Sequence, residues 1–140
     1  MGTEQLETGI KLIFSLASGM LLNQHANVNE TARILRRPDG AECVVVSDLF
    51  MTPGARFADL LLPGASFFEM ENVVGSWSSA DYALYNQQAI APLFDCRPEY
   101  TWMEETACRL GLARDFCQGH RSAADWIADR YKLHREQTEP

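Results

Sequence analysis

The chain has no basic stripe. Among its 140 residues Lys and Arg number 12 against 19 Asp and Glu, and the longest run of adjacent basic side chains is Arg36-Arg37. A surface with a net charge of −7 cannot neutralise a phosphate backbone, which removes nucleic acid from the expected partners. A long apolar run is missing too. The stretch from Leu12 to Leu22 is broken by Ser15, Ser18 and Gly19, so it is too short and too polar to span a bilayer, and direct membrane insertion is not expected. Glu4, Glu7 and the single Lys11 ahead of it lack the positive character of a secretory leader. Cys43, Cys96, Cys108 and Cys117 form no CxxC pair. Reduced thiols are therefore expected rather than a zinc or iron–sulfur centre, and spacing alone leaves disulfides open. His25, His120 and His134 share no ligand spacing with a cysteine or carboxylate and read as solvated or loop histidines. Of these His25, beside Asn23-Gln24, lies nearest to candidate chemistry.

What is present is a chain that is 46% hydrophobic, long enough to bury one sizeable core. The reading is a single α/β domain over 10–135, with 1–9 a disordered or tag-like terminus and 136–140 frayed. Lys11 to Ala17 reads as a first strand ended at Ser18-Gly19. A helix follows through Ala32, Ile34 and Leu35, capped by Asn27 or Asn29, with Arg36-Arg37 at its negative end and Pro38-Asp39-Gly40 as its stop. Glu42 to Ser47 reads as the second strand, Pro53 to Ala58 as a short helix, and Asp59 to Leu62 as the third strand. This alternation is that of a parallel sheet. From Val73 to Gln88 the texture is Gly, Ser, Trp and Tyr, pointing to irregular structure with one added strand or hairpin. Trp77, Tyr82 and Tyr85 there are aromatics that pack on the domain's own sheet or form an interface. Pro98 opens a helix over Glu99 to Leu110 that Gly111 ends, and Ser122 with Asp125 caps a last one.

Cys43 to Glu71 carries the most chemistry. Val44-Val45-Val46 and Leu60-Leu61-Leu62 are short apolar runs beside turn signals, as in buried parallel strands. Between them Asp48, Thr52, Pro53 and Gly54 make a strand-to-helix connection, where nucleotides bind in open α/β sheets. A carboxylate there accepts hydrogen bonds from a base or ribose, while Thr52 can offer its hydroxyl and a free backbone N–H to a phosphate. The plainer alternative is a capping or turn role for both residues. Asp59 and Glu69 are expected to serve structure, the first bonding loop N–H groups and the second meeting a neighbouring domain, although two such carboxylates can also pair as acid and base.

The pattern SD-x3-T-x5-ADLLLP-x5-E, with the Ser18-Gly19 loop, Asn23-Gln24-His25 and the Leu93-to-Gly111 tail, resembles the third domain of the molybdopterin oxidoreductases, in the dimethyl sulfoxide reductase family. The resemblance runs from about Ile10 to Phe116. It implies a three-layer open sheet, mainly parallel and Rossmann-like, with helices on both faces. It also implies a cofactor site built from Ser18, Gly19, Met20, Leu21, Asp48, Phe50 and Thr52, with Asp48 accepting from the guanine of a molybdopterin guanine dinucleotide and the first loop bringing backbone close to its pyrophosphate and ribose. Gly19-Met20-Leu21-Leu22-Asn23 departs from the Gly-x-Asn-Pro form of the wider superfamily, so individual contacts of that loop are less firmly carried over.

Several parts of such an enzyme are absent from the sequence: a cysteine motif for an iron–sulfur cluster, a molybdenum-ligating domain and a closing barrel. The resemblance therefore implies a cofactor-binding domain, inactive by itself, of a catalytic subunit that reduces an S-oxide, N-oxide or related oxyanion. Its cofactor would be bis(molybdopterin guanine dinucleotide) molybdenum in the parent, with none expected in the isolated fragment. Its partners would be the remaining domains, an iron–sulfur electron-transfer subunit and a membrane anchor, and the parent would be bacterial or archaeal, exported by the twin-arginine route or cytoplasmic. The rival reading is an independent small α/β module that binds a nucleotide or a protein without redox activity.

Overall fold

The computed structural model describes residues 8–17, 19–24, 26–75 and 82–138, with side chains through Leu133. The backbone divides into two compact units after Gly64. In the first, β1 (Leu12–Leu16) leads through α1 (Met20–Asn23) and α2 (Val28–Leu35) to β2 (Cys43–Asp48), and a 3-10 turn at Ala55–Phe57 leads on to β3 (Leu60–Pro63). The strands lie in the order β1-β2-β3 and all run parallel, with Ile13 beside Val44 and Val46 beside Leu61. The mixed α/β architecture and the parallel sheet are those expected from the sequence.

β2 is the middle strand because its Val44-Val45-Val46 run suits burial on both faces. Those three residues are all buried, Val46 at 1% exposure and Ser47 at 0%. Alternation sends Val44 and Val46 to one face, where they meet Ala55, Ile13, Leu21, Ala41 and Ala58. Burying each such valine stabilises the unit by about 1.5–3 kcal/mol. α1 and the 3-10 turn thus pack on the same face. Right-handed crossovers that step in one direction along a sheet require this, so the first unit alone is a two-layer arrangement.

The helix expected after the first strand is present and starts at one of the two residues read as its cap, but without the capping bond. Asn27 occupies the N-cap position with a left-handed backbone (φ 58°) and makes no capping side-chain bond, and Asn29 lies inside the helix. A capping side chain reaches the first free N–H groups from extended backbone, which Asn27 lacks. Chain reversal after Arg36 follows the sequence, and Arg37 pairs with Asp39 at 2.9 and 2.5 Å.

The second unit holds a 3-10 turn at Phe67–Glu69, the antiparallel pair β4 (Asn72–Gly75) and β5 (Ala83–Asn86), then α3 (Glu99–Arg109), α4 (Ala113–Cys117) and α5 (Ala123–Thr138). Pro98 is the N-cap of α3, one position earlier than read, and Gly111 follows the helix at φ +74°. There the N–H of Gly111 donates to Cys108 O and that of Leu112 to Ala107 O, the paired closure that favours glycine. Ser122 Oγ accepts the Asp125 N–H at 3.3 Å, as its spacing suggested. α4 was not anticipated: its five residues are too few to show a period, and only Gly119 after it marks an end.

Candidate functional site at the carboxyl edge of the sheet

Parallel strands bring their carboxyl ends to one edge, so the loops after β1 and β2 are neighbours there. The Ala17 N–H donates to Ser47 O at 2.9 Å, continuing the β1–β2 ladder one residue beyond β1, and Ala17 then turns into the left-handed region at φ +46°. That turn delivers Gly19, Met20 and Leu21 into α1, whose backbone bonds run from Leu22 and Asn23 N–H back to Gly19 O. Ser18 lies outside the described residues, as does His25. Gly54, which sequence reading used only as a turn signal, joins the two loops. A Cβ there would lie 3.3 Å from Leu21 Cβ.

Asp48 is the last residue of β2 and is half-buried. Its Oδ1 accepts the Leu49 N–H at 2.8 Å and its Oδ2 accepts the Thr52 hydroxyl at 3.2 Å. A carboxylate has about four acceptor directions, so roughly one per oxygen remains for a ligand. Thr52 is placed differently from the sequence expectation. Its hydroxyl donates to Asp48 and accepts the Ala55 N–H at 3.2 Å, while its backbone N–H donates to Phe50 O at 2.8 Å. Both Thr52 donors are thus engaged within the loop, and the free N–H read for a phosphate is not free. Thr52 is not an ordinary cap, since Gly54 is the N-cap, but its hydroxyl does hold the first N–H of the 3-10 turn. Phe50 stands at the loop's crest, 76% exposed, flanked by the exposed Leu49 and Met51.

The other carboxylates of the motif hold backbone N–H groups, but not the partners read for them: Asp59 takes an N–H of a strand rather than of a loop, and Glu69 bonds within its own unit rather than meeting a neighbouring domain. Asp59 Oδ2 accepts the Val44 N–H at 2.8 Å and the Asp59 N–H donates to Val44 O, pinning the start of β3 to β2. Glu69, 5% exposed in the second unit, accepts the Ser66 N–H at 2.8 Å and the Leu93 N–H at 2.7 Å. Hydrogen bonds from the Ser66 side chain, the Ser66 N–H and the Leu93 N–H hold its carboxyl below the usual range.

His120 lies in the loop between α4 and α5, one of the two readings made for it, but it is not a solvated side chain. It stacks on Trp126 with centroids 3.7 Å apart, places Nε2 2.7 Å from Asp129 Oδ2 and sets Nδ1 3.1 Å from Cys117 O. Spacing could not reveal this, because α5 brings Asp129 back from nine residues on. Tyr82 and Tyr85 are exposed, with the Tyr85 hydroxyl donating to Glu71, and Trp77 lies outside the described residues. Among the described residues no cluster of three or more His, Cys, Asp or Glu side chains could hold a metal ion. No described helix is long and apolar enough to cross a membrane. Cys43, Cys96 and Cys117 are half-buried free thiols and Cys108 is exposed.

A sequence model of the molybdopterin oxidoreductase family matches residues 2–107. The chain is similar to the dimethyl sulfoxide reductase DmsA of Escherichia coli, 35% identical over 96% of this chain and 17% of that protein. It is likewise similar to the DmsA of Haemophilus influenzae, at 34% identity over the same shares. Among solved structures, acetylene hydratase from Pelobacter acetylenicus aligns with a TM-score of 0.64 at 34% identity, over 74% of this chain and 14% of that one. The chain thus spans about a sixth of the length of the curated relatives it matches.

Proposed function

The chain belongs to the molybdopterin oxidoreductase family, and from that premise we propose that the carboxyl edge of its sheet holds the guanine end of a molybdopterin guanine dinucleotide. The observation that carries the reading is Asp48: at the end of the middle strand, half-buried, with about one acceptor direction left on each oxygen. Guanine presents two adjacent donors, N1–H and N2–H2, on one edge, which is the complement of such a carboxylate. Adenine presents an acceptor where guanine has N1–H and is disfavoured.

Gly19, Met20 and Leu21, with Ser18 on the sequence pattern, form the neighbouring wall, and Gly54 allows the two loops their close approach. Phe50 offers an exposed aromatic surface beside the carboxylate. These residues bind and orient. When bound, the molybdenum–pterin group supplies the redox chemistry, which is the cofactor's own.

The reaction proposed for the whole enzyme is reductive oxygen-atom transfer from an S-oxide, N-oxide or related oxyanion. Identity in this segment does not choose the substrate: it is 35% over 96% of the chain to a protein named as a dimethyl sulfoxide reductase and 34% over 74% to one named as an acetylene hydratase. The proposed partners are the other domains of the catalytic subunit, an iron–sulfur electron-transfer subunit and a membrane anchor. The sheet is proposed as the core of a three-layer, Rossmann-like domain with helices on both faces. Leu12, Phe14 and Leu60 support that reading, since they lie opposite the Val44–Val46 face and are about half exposed, whereas parallel sheets are covered on both faces.

The test is a titration of the chain with GDP and with ADP, following the amide resonances of Asp48 and Thr52. GDP should bind in about the millimolar range, near −4 kcal/mol, because the other walls of the site are not supplied. ADP should bind more weakly. Asp48→Ala and Asp48→Asn should both abolish the preference, the second because an amide turns a donor toward a guanine edge that already donates. Equal shifts with both nucleotides, or shifts confined to the Trp77–Tyr85 region, would defeat the reading in favour of a module with another ligand.

A further inference from the structure

We infer that Thr52 is a positioning residue for Asp48, setting the carboxylate that discriminates guanine from adenine, rather than a phosphate contact. The inference rests on the guanine reading above and goes one step deeper into the same loop. A threonine hydroxyl has one proton to donate and two lone pairs. At Thr52 the Ala55 N–H occupies one lone pair at 3.2 Å, and this fixes the hydroxyl's rotation. Its proton is directed to Asp48 Oδ2 at 3.2 Å. The backbone N–H of Thr52 is turned to Phe50 O at 2.8 Å. Thr52 therefore has no donor left for an anion, and its remaining lone pair would repel one.

The same bonds explain how a short loop orients a carboxylate. Leu49 N–H holds Oδ1 from the adjacent residue, and Thr52 holds Oδ2 from four residues on. The plane of the carboxylate is thereby fixed at two points, and the open direction on each oxygen is left where a base edge can meet both. The 3-10 turn at Ala55–Phe57 anchors the threonine in turn, its Ala55 buried in the cluster with Val44 and Val46. Core packing is thus transmitted to the carboxylate through one hydroxyl.

The experiment compares the whole chain with Thr52→Val and Thr52→Ser, each titrated with GDP and ADP, with folding checked by thermal unfolding. Thr52→Val keeps the shape and removes the hydroxyl; GDP binding should weaken about tenfold while ADP binding stays unchanged, so the preference collapses. Thr52→Ser restores the hydroxyl and should restore the preference. If Thr52→Val weakens both nucleotides alike, Thr52 serves the phosphates and the inference falls. It falls equally if Thr52→Val keeps the full guanine preference, while the reading of Asp48 survives. Should the unmodified chain itself show no preference, the guanine reading fails and takes this inference with it. Where Thr52→Val unfolds the chain, Thr52→Ala supplies the same comparison, and a carboxylate carbon resonance of Asp48 that moves in Thr52→Ala but not in Thr52→Ser gives the required readout without ligand.

Discussion

Asp48 in the first unit and Glu69 in the second belong to one sequence motif, and each accepts hydrogen bonds on both of its oxygens. Under the proposed function they nevertheless do opposite work. Among the described residues the Asp48 carboxylate bonds within its own loop, to residues one and four positions on, and Asp48 stays half-buried. Glu69 closes the start of its own turn and also reaches the Leu93 N–H, 24 residues away, and is 5% exposed. A carboxylate whose bonds are local and whose face is open can recognise a ligand; one that ties remote backbone and is closed off holds the fold. Counting hydrogen bonds does not separate the two roles, whereas sequence reach and accessibility do.

The sharpest way to break this contrast is Glu69→Ala. It leaves the Ser66 and Leu93 N–H groups without their partner, and the thermal midpoint of the second unit should fall by on the order of 10 °C. The GDP preference should be untouched, and its loss would erase the distinction. Asp48→Ala should do the reverse. GDP affinity should drop by about tenfold or more, the effect of losing a hydrogen bond to a charged acceptor, while unfolding changes by less than about 0.5 kcal/mol. A large stability loss by calorimetry would make Asp48 a structural residue like Glu69.

Gly54→Ala has a smaller expected effect. Gly54 has ordinary helical backbone (φ −67°), so the only penalty is the 3.3 Å approach to Leu21 Cβ. Overpacking of that size costs about 1 kcal/mol and should shift the Gly19–Leu21 amide resonances. Unchanged resonances would separate the two loops and weaken the single-site reading.

The smallest effect is in pH. The Glu69 carboxyl is held below its ordinary value of 4.5, first by the Ser66 side chain and then by the Ser66 and Leu93 N–H groups. The unfolded chain therefore takes up that proton more readily than the folded one. The contribution is complete above about pH 4.5 and is lost as pH falls through the depressed folded value. Acid unfolding followed by circular dichroism should show this fall, and Glu69→Gln should remove that part of the pH slope.

Much of the first unit was legible because its signals are local. The two apolar runs predicted β2 and β3, and Pro38-Asp39-Gly40 predicted the chain reversal between α2 and β2. In the second unit Gly111 and the Ser122–Asp125 pair marked helix ends correctly, since capping is settled within about five residues. Asn27 misled because its residue type suits a cap, whereas its backbone, at φ 58°, does not. The loop position of His120 was legible, but its contacts were not, because its partners Trp126 and Asp129 come from a helix whose path only tertiary packing sets.

By itself the sequence determined that this chain is of the α/β class with a parallel sheet, that Asp48 stands at the carboxyl end of a strand, and that its family is that of the molybdopterin oxidoreductases. Periodicity and turn residues encode such features directly, because each depends on which face a residue buries or which φ its neighbour adopts. Only the tertiary structure decided that Thr52 gives its proton to Asp48, that α1 and the 3-10 turn pack on one face, and that Glu69 is buried while Asp48 is half-buried. These depend on where donors such as the Ala55 and Leu93 N–H groups arrive in space. The chain's path settles those positions, and residue type alone cannot.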